Sequence, residues 1–387
     1  MSPARYTHLL DVHGQLGAKL TEFGGWDMPL QYSGIIAEHN AVREGAGVFD
    51  VSHLGKLRLT GPGSVEALQV ALTADVGALD VGRATYSLVL ADDGGCIDDV
   101  FVYRLGDEEW MVVPNAANVS AVTEAIEASG ANVTDEWDRY AILAVQGPHS
   151  FDVFERAWPG SGATELRLHA WRRIDVGGEM GLVARTGYTG ERGFELYAPA
   201  KAAADAFRRL LDAGASPVGL GARDTLRLEM GYALYEHELS LDVNPLEAGL
   251  GWALAWDTAF RGREALLKVK EAGPARKLFG IRCEGRGVPR RGHPVLADGE
   301  PIATVTSGNY SPTLRTGIAL ALGDAARIPK IGAEVVVEAR GRGIAGAIVK
   351  PPFIESERST GGSRRKSERS TGGSRRKSER STGGSRR

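Results

Sequence analysis

Between residues 86 and 113 three strand-like runs follow one another with only tight turns between them, and this most constrains the fold. The runs 86–90, 96–105 and 110–113 are rich in apolar and β-branched residues, and ADDGG and GDEE separate them. Loops this short join antiparallel neighbours, whereas a parallel pair needs a crossover of a dozen or more residues. An antiparallel meander is therefore expected. No βαβ rhythm appears elsewhere, and neither a G-x-G-x-x-G after a first strand nor a G-x-x-x-x-G-K-[ST] is present. Dinucleotide-binding and P-loop architectures are accordingly disfavoured.

The rest of the chain up to residue 355 reads as α+β. Ser33 ahead of Ile35, Ile36, His39 and Val42 reads as a capped helix ending near Gly45 and Gly47. Residues 118–128, 200–213 and 222–230 read as helices, and 140–145 as an apolar strand. A hairpin is expected through Gly177 and Gly178, then a strand-rich run 182–197 broken by TGYTGERG. Beyond Pro274 the chain turns to short strands split by Gly and Pro, the pattern of a small β-barrel.

Charge divides the chain unevenly. Residues 356–387 hold eleven Lys/Arg and three Glu, a net of +8, which leaves −11 of the overall −3 for residues 1–355. An acidic body argues against a nucleic-acid surface. The basic segment is an 11-residue repeat, SERSTGGSRRK, without an apolar residue, so it can build neither a core nor a supercoil seam. It is expected to be a disordered extension. No stretch of about 18 apolar residues suggests a membrane span, and residues 1–10 lack the pattern of a signal peptide. Cys96 and Cys283 form no C-x-x-C pair, which suggests neither a zinc site nor a disulfide framework and suits a reducing cytoplasm.

Three segments could carry chemistry. In GGCIDDVFVY, Asp98 and Asp99 are adjacent in a strand, so their side chains point to opposite faces and cannot share one pocket. They are either turn and edge residues, or one of them faces a cleft. TGYTGERGFELY places Glu195 between Phe194 and Leu196, as an internal ion pair or a ligand contact, after three closely spaced glycines that permit close backbone approach. GLGARDTLRLEMG puts Arg223 and Arg227 four apart on a helix, where Asp224 and Glu229 could pair with them or an Arg could reach a ligand. The histidines are scattered; His39 and His53 read as structural or exposed. Cys96 reads as a packing residue.

Taken together these segments resemble the aminomethyltransferase family, the T-protein of the glycine cleavage system. FGGWDMPLQY, EHNAVREGAGVFDVSHLGKLRLTG, YSLVLADDGGCIDDVFVY, AVQGP, TGYTGERGFE, GLGARDTLRLEMG, NPLEAGLGWALAW, FRGREAL and TSGNYSPTL occur in family order over about residues 6–354. The resemblance implies a three-domain cloverleaf around a central folate cavity, with antiparallel sheets and flanking helices. Two intertwined domains would occupy 1–275, a β-barrel-like domain 276–354, and the basic tail 355–387. It implies transfer of the methylene of aminomethyl-lipoyl H-protein to tetrahydrofolate, giving 5,10-methylenetetrahydrofolate and ammonia. The partner is the lipoylated H-protein, with links to glycine decarboxylase and dihydrolipoamide dehydrogenase, and neither metal nor flavin is called for. Carried over by motif, Asp98 is the catalytic carboxylate. Glu195 and Arg223 bind the folate, and Tyr86, Tyr188 and Asn115 line the cavity.

The chain departs from the pattern at Glu236, which stands where the family usually has Gly, and at Pro114, which interrupts the strand end before Asn115. The same outline serves folate-dependent demethylases and the folate domains of flavin-linked oxidising enzymes. It also serves a non-enzymatic folate-binding protein, whose K-G-C-Y-x-G-Q-E motif is replaced here by FRGREAL.

Overall fold

In the computed structural model, which describes residues 5–355, the meander forms as expected from its turns. Strands Ala84–Leu90, Cys96–Gly106 and Glu109–Val113 pair antiparallel in order, and Leu57–Thr60 and Val133–Asp135 complete a five-stranded sheet. Gly94, at φ 90°, takes the left-handed corner of the first turn. Next to it Gly95 lies against the backbone of Leu241, so close that a Cβ would meet the Leu241 carbonyl oxygen at 2.1 Å.

A second, six-stranded sheet has the order Trp171–Val176, Glu179–Ala184, Gly193–Pro199, Tyr140–Gln146, Gly47–Asp50, Ser216–Val218. Its first hairpin turns on Gly177 and Gly178, both at positive φ (68° and 86°), as a two-residue primed turn requires. The sheets are not wholly antiparallel. Ser216–Val218 runs parallel to Gly47–Asp50, and Arg5–Tyr6 runs parallel to Trp26–Gln31 in a separate three-stranded sheet.

Side-chain alternation divides each large sheet between two cores. In Cys96–Gly106, Val100 and Val102 enter a core with the helices Ser64–Ala71 and Val119–Glu127. Tyr103 and Leu105 face the other way. In Gly193–Pro199, Phe194, Leu196 and Ala198 pack with the helices Ser150–Ala157 and Ala203–Asp212, while Tyr197 turns to the opposite face. The two inward faces meet in one cluster containing Tyr103, Met111, Val113, Ile142, Ala144, Leu182 and Tyr197. Polar side chains placed on these faces are delivered to the seam between the sheets.

Six strands from Arg276–Cys283 to Arg342–Val349 close into a barrel around Phe279, Ile281, Val295, Val305 and Val337. The helix Leu220–Glu229 stands between seam and barrel. Arg227, 1% exposed, holds Asp224 at 2.7 Å, Glu238 at 3.2 Å and the barrel's Ser307 at 2.8 Å. Glu229 does not pair with an arginine of its own helix. It takes Arg43 at 2.8 Å and His39 at 3.3 Å, and accepts from the hydroxyls of Ser311 and Thr313. Arg223 and Arg227 therefore diverge to different partners despite their helical spacing.

One local expectation needs correction, and two open ones are resolved. Ser33 does not cap the helix Ile35–Glu44: Gly34 is the N-cap residue, and Glu38 accepts the backbone N–H groups of Tyr32, Ser33 and Gly34 from one turn inside. These donors belong to the residues entering the helix, so the carboxylate fixes the incoming chain rather than capping the helix's own first turn. His39 and His53 are both buried, at 0% and 2% exposure. Glu236 is held at φ 66°, so the family's glycine position keeps its left-handed backbone with a side chain attached. The basic repeat lies outside the described residues.

Candidate active site

The seam opens into a cavity lined by Phe23, His53, Tyr86, Asp99, Asn115, Tyr188, Glu195 and Arg223, among others. Five of the six residues singled out by sequence converge there: Tyr86, Asn115, Tyr188, Glu195 and Arg223. Asp98 does not line it. Asp98 shares its strand face with Val100 and Val102, and is fully buried toward the helix side. Asp99, one residue on, shares the face of Phe101 and Tyr103 and reaches the cavity. Strand alternation separates the two acids as expected; the acid on the cavity face is the second, because the first is covered by the segment leading into helix Val119–Glu127.

The two carboxylates are linked through Asn115. Its backbone N–H donates to Asp98 Oδ2 at 2.8 Å, and its Nδ2 donates to Asp98 Oδ1 at 2.8 Å and Asp99 Oδ1 at 3.0 Å. Asn118 Nδ2 donates to Asp98 Oδ1 at 2.7 Å, and the Tyr86 hydroxyl donates to Asp99 Oδ2 at 3.1 Å. Pro114, which ends the strand before Asn115, brings both asparagines to the acids rather than disturbing them; its carbonyl accepts the Gly55 N–H. Burial pushes both carboxyls above the ordinary range. The charge of Asp99 adds to this at Asp98, while Tyr86, Asn115 and the positive charge of Arg223 oppose it at Asp99. Burial, reinforced by the charge of Asp99, also keeps the Tyr86 phenol protonated and thus a donor.

On the opposing sheet, Glu195 lies on the same face as Tyr197. The Thr186 hydroxyl donates to Glu195 Oε2. Arg223, from the first turn of its helix, lays its guanidinium over the Tyr188 ring at 4.6 Å. No described side chain accepts a hydrogen bond from that guanidinium. Tyr188 is anchored through its hydroxyl on the Ala233 carbonyl and stacks on Tyr232. The site thus offers the Asp99 carboxylate at one wall, and a carboxylate and a guanidinium at the other, with aromatic rings between.

His53 was not among the residues singled out. Its ring meets Phe23 edge-on at 5.4 Å, and Nδ1 has no hydrogen-bond partner among the described residues. Burial, and then the charge of Arg223, pushes its pKa down to about 3, so the ring is neutral at physiological pH. The one sequence signal was its place in FDVSHLG; nothing in that spacing shows that the turn after Gly47–Asp50 fronts the seam.

The described residues contain no group of His, Cys, Asp and Glu arranged to hold a metal ion, and no helix long and apolar enough to cross a membrane. Comparison with known proteins points in one direction. Residues 9–258 match the model of the GCVT N-terminal domain, and residues 276–355 that of the glycine cleavage T-protein C-terminal barrel domain. An aminomethyltransferase of Mycobacterium leprae is 47% identical over 356 residues, covering 90% of this chain and 96% of the relative. One from Halothermothrix orenii is 43% identical over 358 residues, covering 90% and 99%. The crystal structure of the glycine cleavage system aminomethyltransferase T from Bartonella henselae superposes with a TM-score of 0.85 at 34% identity, covering 91% of this chain and 98% of that one.

Proposed function

The chain belongs to the glycine cleavage T-protein family and has its aminomethyltransferase function, and on that premise we propose how its cavity takes tetrahydrofolate and which residues act on it. Tetrahydrofolate supplies the amine nitrogens that accept the one-carbon unit. A reduced pterin presents an N–H and an amino group side by side, and a single carboxylate accepts from both; Glu195 is suited to that edge. Arg223 has donors to spare and suits the pterin carbonyl or a carboxylate of the folate tail. Tyr188 and Tyr86 supply the flat apolar walls.

Asp99 is then the carboxylate at the reacting centre. It faces the cavity, and it is held by Asn115 and Tyr86, with no ion pair to a cation among the described residues. Its charge opposes the positive charge that develops as ammonia leaves the aminomethyl carbon, and its oxygens can accept a proton from the attacking amine. Asp98 acts through Asn115: by accepting two of that residue's N–H groups it fixes the amide that points at Asp99. We assign the aminomethyl donor as the lipoyl arm of the H-protein, and link the chain through it to the decarboxylase and dihydrolipoamide dehydrogenase of the same system. Two buried free thiols, Cys96 and Cys283, suit a reducing cytoplasm.

The observation that carries this reading is the convergence of Asp99, Glu195 and Arg223 on one buried cavity from three separate elements. The test is to mix the protein with tetrahydrofolate and aminomethyl-lipoyl H-protein, with no added flavin or metal. Ammonia and 5,10-methylenetetrahydrofolate are expected in equal amounts. Turnover only with a methylated sulfonium donor would replace this reading with a demethylase.

A further inference from the structure

Beside Glu195 runs a line of hydroxyls that the reading above does not use, and two of its members, Tyr103 and Tyr197, also line the cavity. The Tyr197 hydroxyl donates to the Tyr103 hydroxyl at 2.9 Å. Tyr103 lies 3.5 Å from Thr186 Oγ1, and Thr186 donates to Glu195 Oε2. Tyr103, Thr186 and Tyr197 are buried at 0%, 1% and 2% exposure, so water does not compete for these hydroxyls. They come from three separate stretches: Tyr103 from the five-stranded sheet, Tyr197 from the six-stranded sheet, and Thr186 from the first residue of TGYTGERG. The rings of Tyr103 and Tyr197 meet edge-on at 5.6 Å across the seam. Each hydroxyl has one proton to give. The chain therefore has a direction, and it ends on the carboxylate.

We propose that Thr186 and Tyr103 are positioning residues for the folate, holding Glu195 in the rotamer that presents its carboxylate to the cavity. The inference rests on the assignment of Glu195 to the pterin edge. A glutamate has three side-chain torsions, and one facing an open cavity has no reason to keep a single orientation unless one of its oxygens is tied. Thr186 ties Oε2. The line of hydroxyls also spans the two sheets, so the carboxylate is referenced to the wall that carries Asp99 as well as to its own. The first threonine of TGYTGERG thereby gains a role that its glycines do not explain.

The experiment is a set of tetrahydrofolate binding and steady-state measurements on Thr186→Val, Thr186→Ser, Tyr103→Phe, Glu195→Gln and the Thr186→Val/Glu195→Gln double variant. Thr186→Val should weaken binding about tenfold, since losing one hydrogen bond to a charged group is worth roughly that factor. Its kcat at saturating folate should change less than twofold. Thr186→Ser, which keeps the hydroxyl, should restore binding; Tyr103→Phe should weaken it severalfold. In the Glu195→Gln background, Thr186→Val should add little, because both act on the same group. Native-like binding by Glu195→Gln would remove the pterin assignment itself. Weakened binding by Glu195→Gln with native-like Thr186→Val and Tyr103→Phe would overturn the positioning role and leave the assignment standing. Full additivity in the double variant would also overturn it, by showing that Thr186 acts through packing. If Thr186→Val fails to fold, Tyr103→Phe, which removes a single oxygen, decides by the same criteria in the Glu195→Gln background.

Discussion

Exchanging the charge of each aspartate in turn separates two adjacent residues that the motif alone cannot rank. In Asp99→Asn the Tyr86 hydroxyl and the Asn115 amide keep a neighbour of the same shape, but the wall at the reacting centre loses its negative charge. A unit charge about 4 Å from a developing cation, at an effective dielectric of about 20, contributes roughly 4 kcal/mol. At about 1.4 kcal/mol per decade, kcat should fall on the order of 10³-fold while folate binding changes little. Asp98→Asn changes no group that faces the cavity and reaches it only through Asn115. It replaces an acceptor that faces three N–H donors, from the Asn115 backbone, Asn115 Nδ2 and Asn118 Nδ2, with a group that must turn an NH2 toward some of them. That costs about 1–3 kcal/mol of stability, and kcat should fall within about tenfold as Asn115 loosens. Single-turnover measurement of methylenetetrahydrofolate formation, beside a thermal melt, reads both effects. If Asp98→Asn loses three decades of rate with an unchanged melt, and Asp99→Asn stays within tenfold, the reasoning from strand faces is refuted and the role returns to Asp98.

Other consequences are open to direct measurement. Arg223→Gln should weaken tetrahydrofolate binding about 10–100-fold by calorimetry, the worth of a hydrogen bond to a charged donor, with only a small change of melting temperature because the guanidinium gives up its stacking on Tyr188 but no described hydrogen bond; unchanged binding would remove Arg223 from the site. At Glu229 burial favours the neutral form, but the hydrogen bond and charge of His39, the charge of Arg43 and the Ser311 hydroxyl outweigh it and hold the carboxyl at about 2 against an ordinary 4.5. The unfolded chain takes up that proton first. The resulting stability is therefore complete above about pH 4.5 and drains as pH falls toward 2. Glu229→Gln should cost about 3–5 kcal/mol at neutral pH and flatten the acid limb of the melting curve, whereas two parallel acid limbs would contradict it. Gly95→Ala drives a Cβ to 2.1 Å from the Leu241 carbonyl, where backbone cannot easily give way, and should cost about 1–3 kcal/mol or more. Gly14→Ala in the helix Leu10–Gln15, with nothing within 4 Å, is the control and should be neutral or slightly stabilising in the same chemical denaturation assay.

What one strand of residues determines by itself is local. Turns of a few residues, the first with glycine at its left-handed corner, made the meander antiparallel, and Gly177 and Gly178 placed the other hairpin; these need no knowledge of the rest of the chain. Period-two alternation likewise decided that Asp98 and Asp99 part company. It did not decide which of them meets the cavity, because that depends on which face of Cys96–Gly106 is covered by the helix Val119–Glu127 and which by a second sheet assembled from residues as distant as Gly47 and Val218. The same long-range packing buries His53, sends Arg223 and Arg227 to different partners from one helix, and sets Thr186 and Tyr103 beside Glu195. Alternation and turn chemistry are properties of neighbours in sequence. The identity of the neighbour across a seam is a property of the whole fold, since burying one face rather than the other is decided only when all the apolar surfaces compete for partners at once.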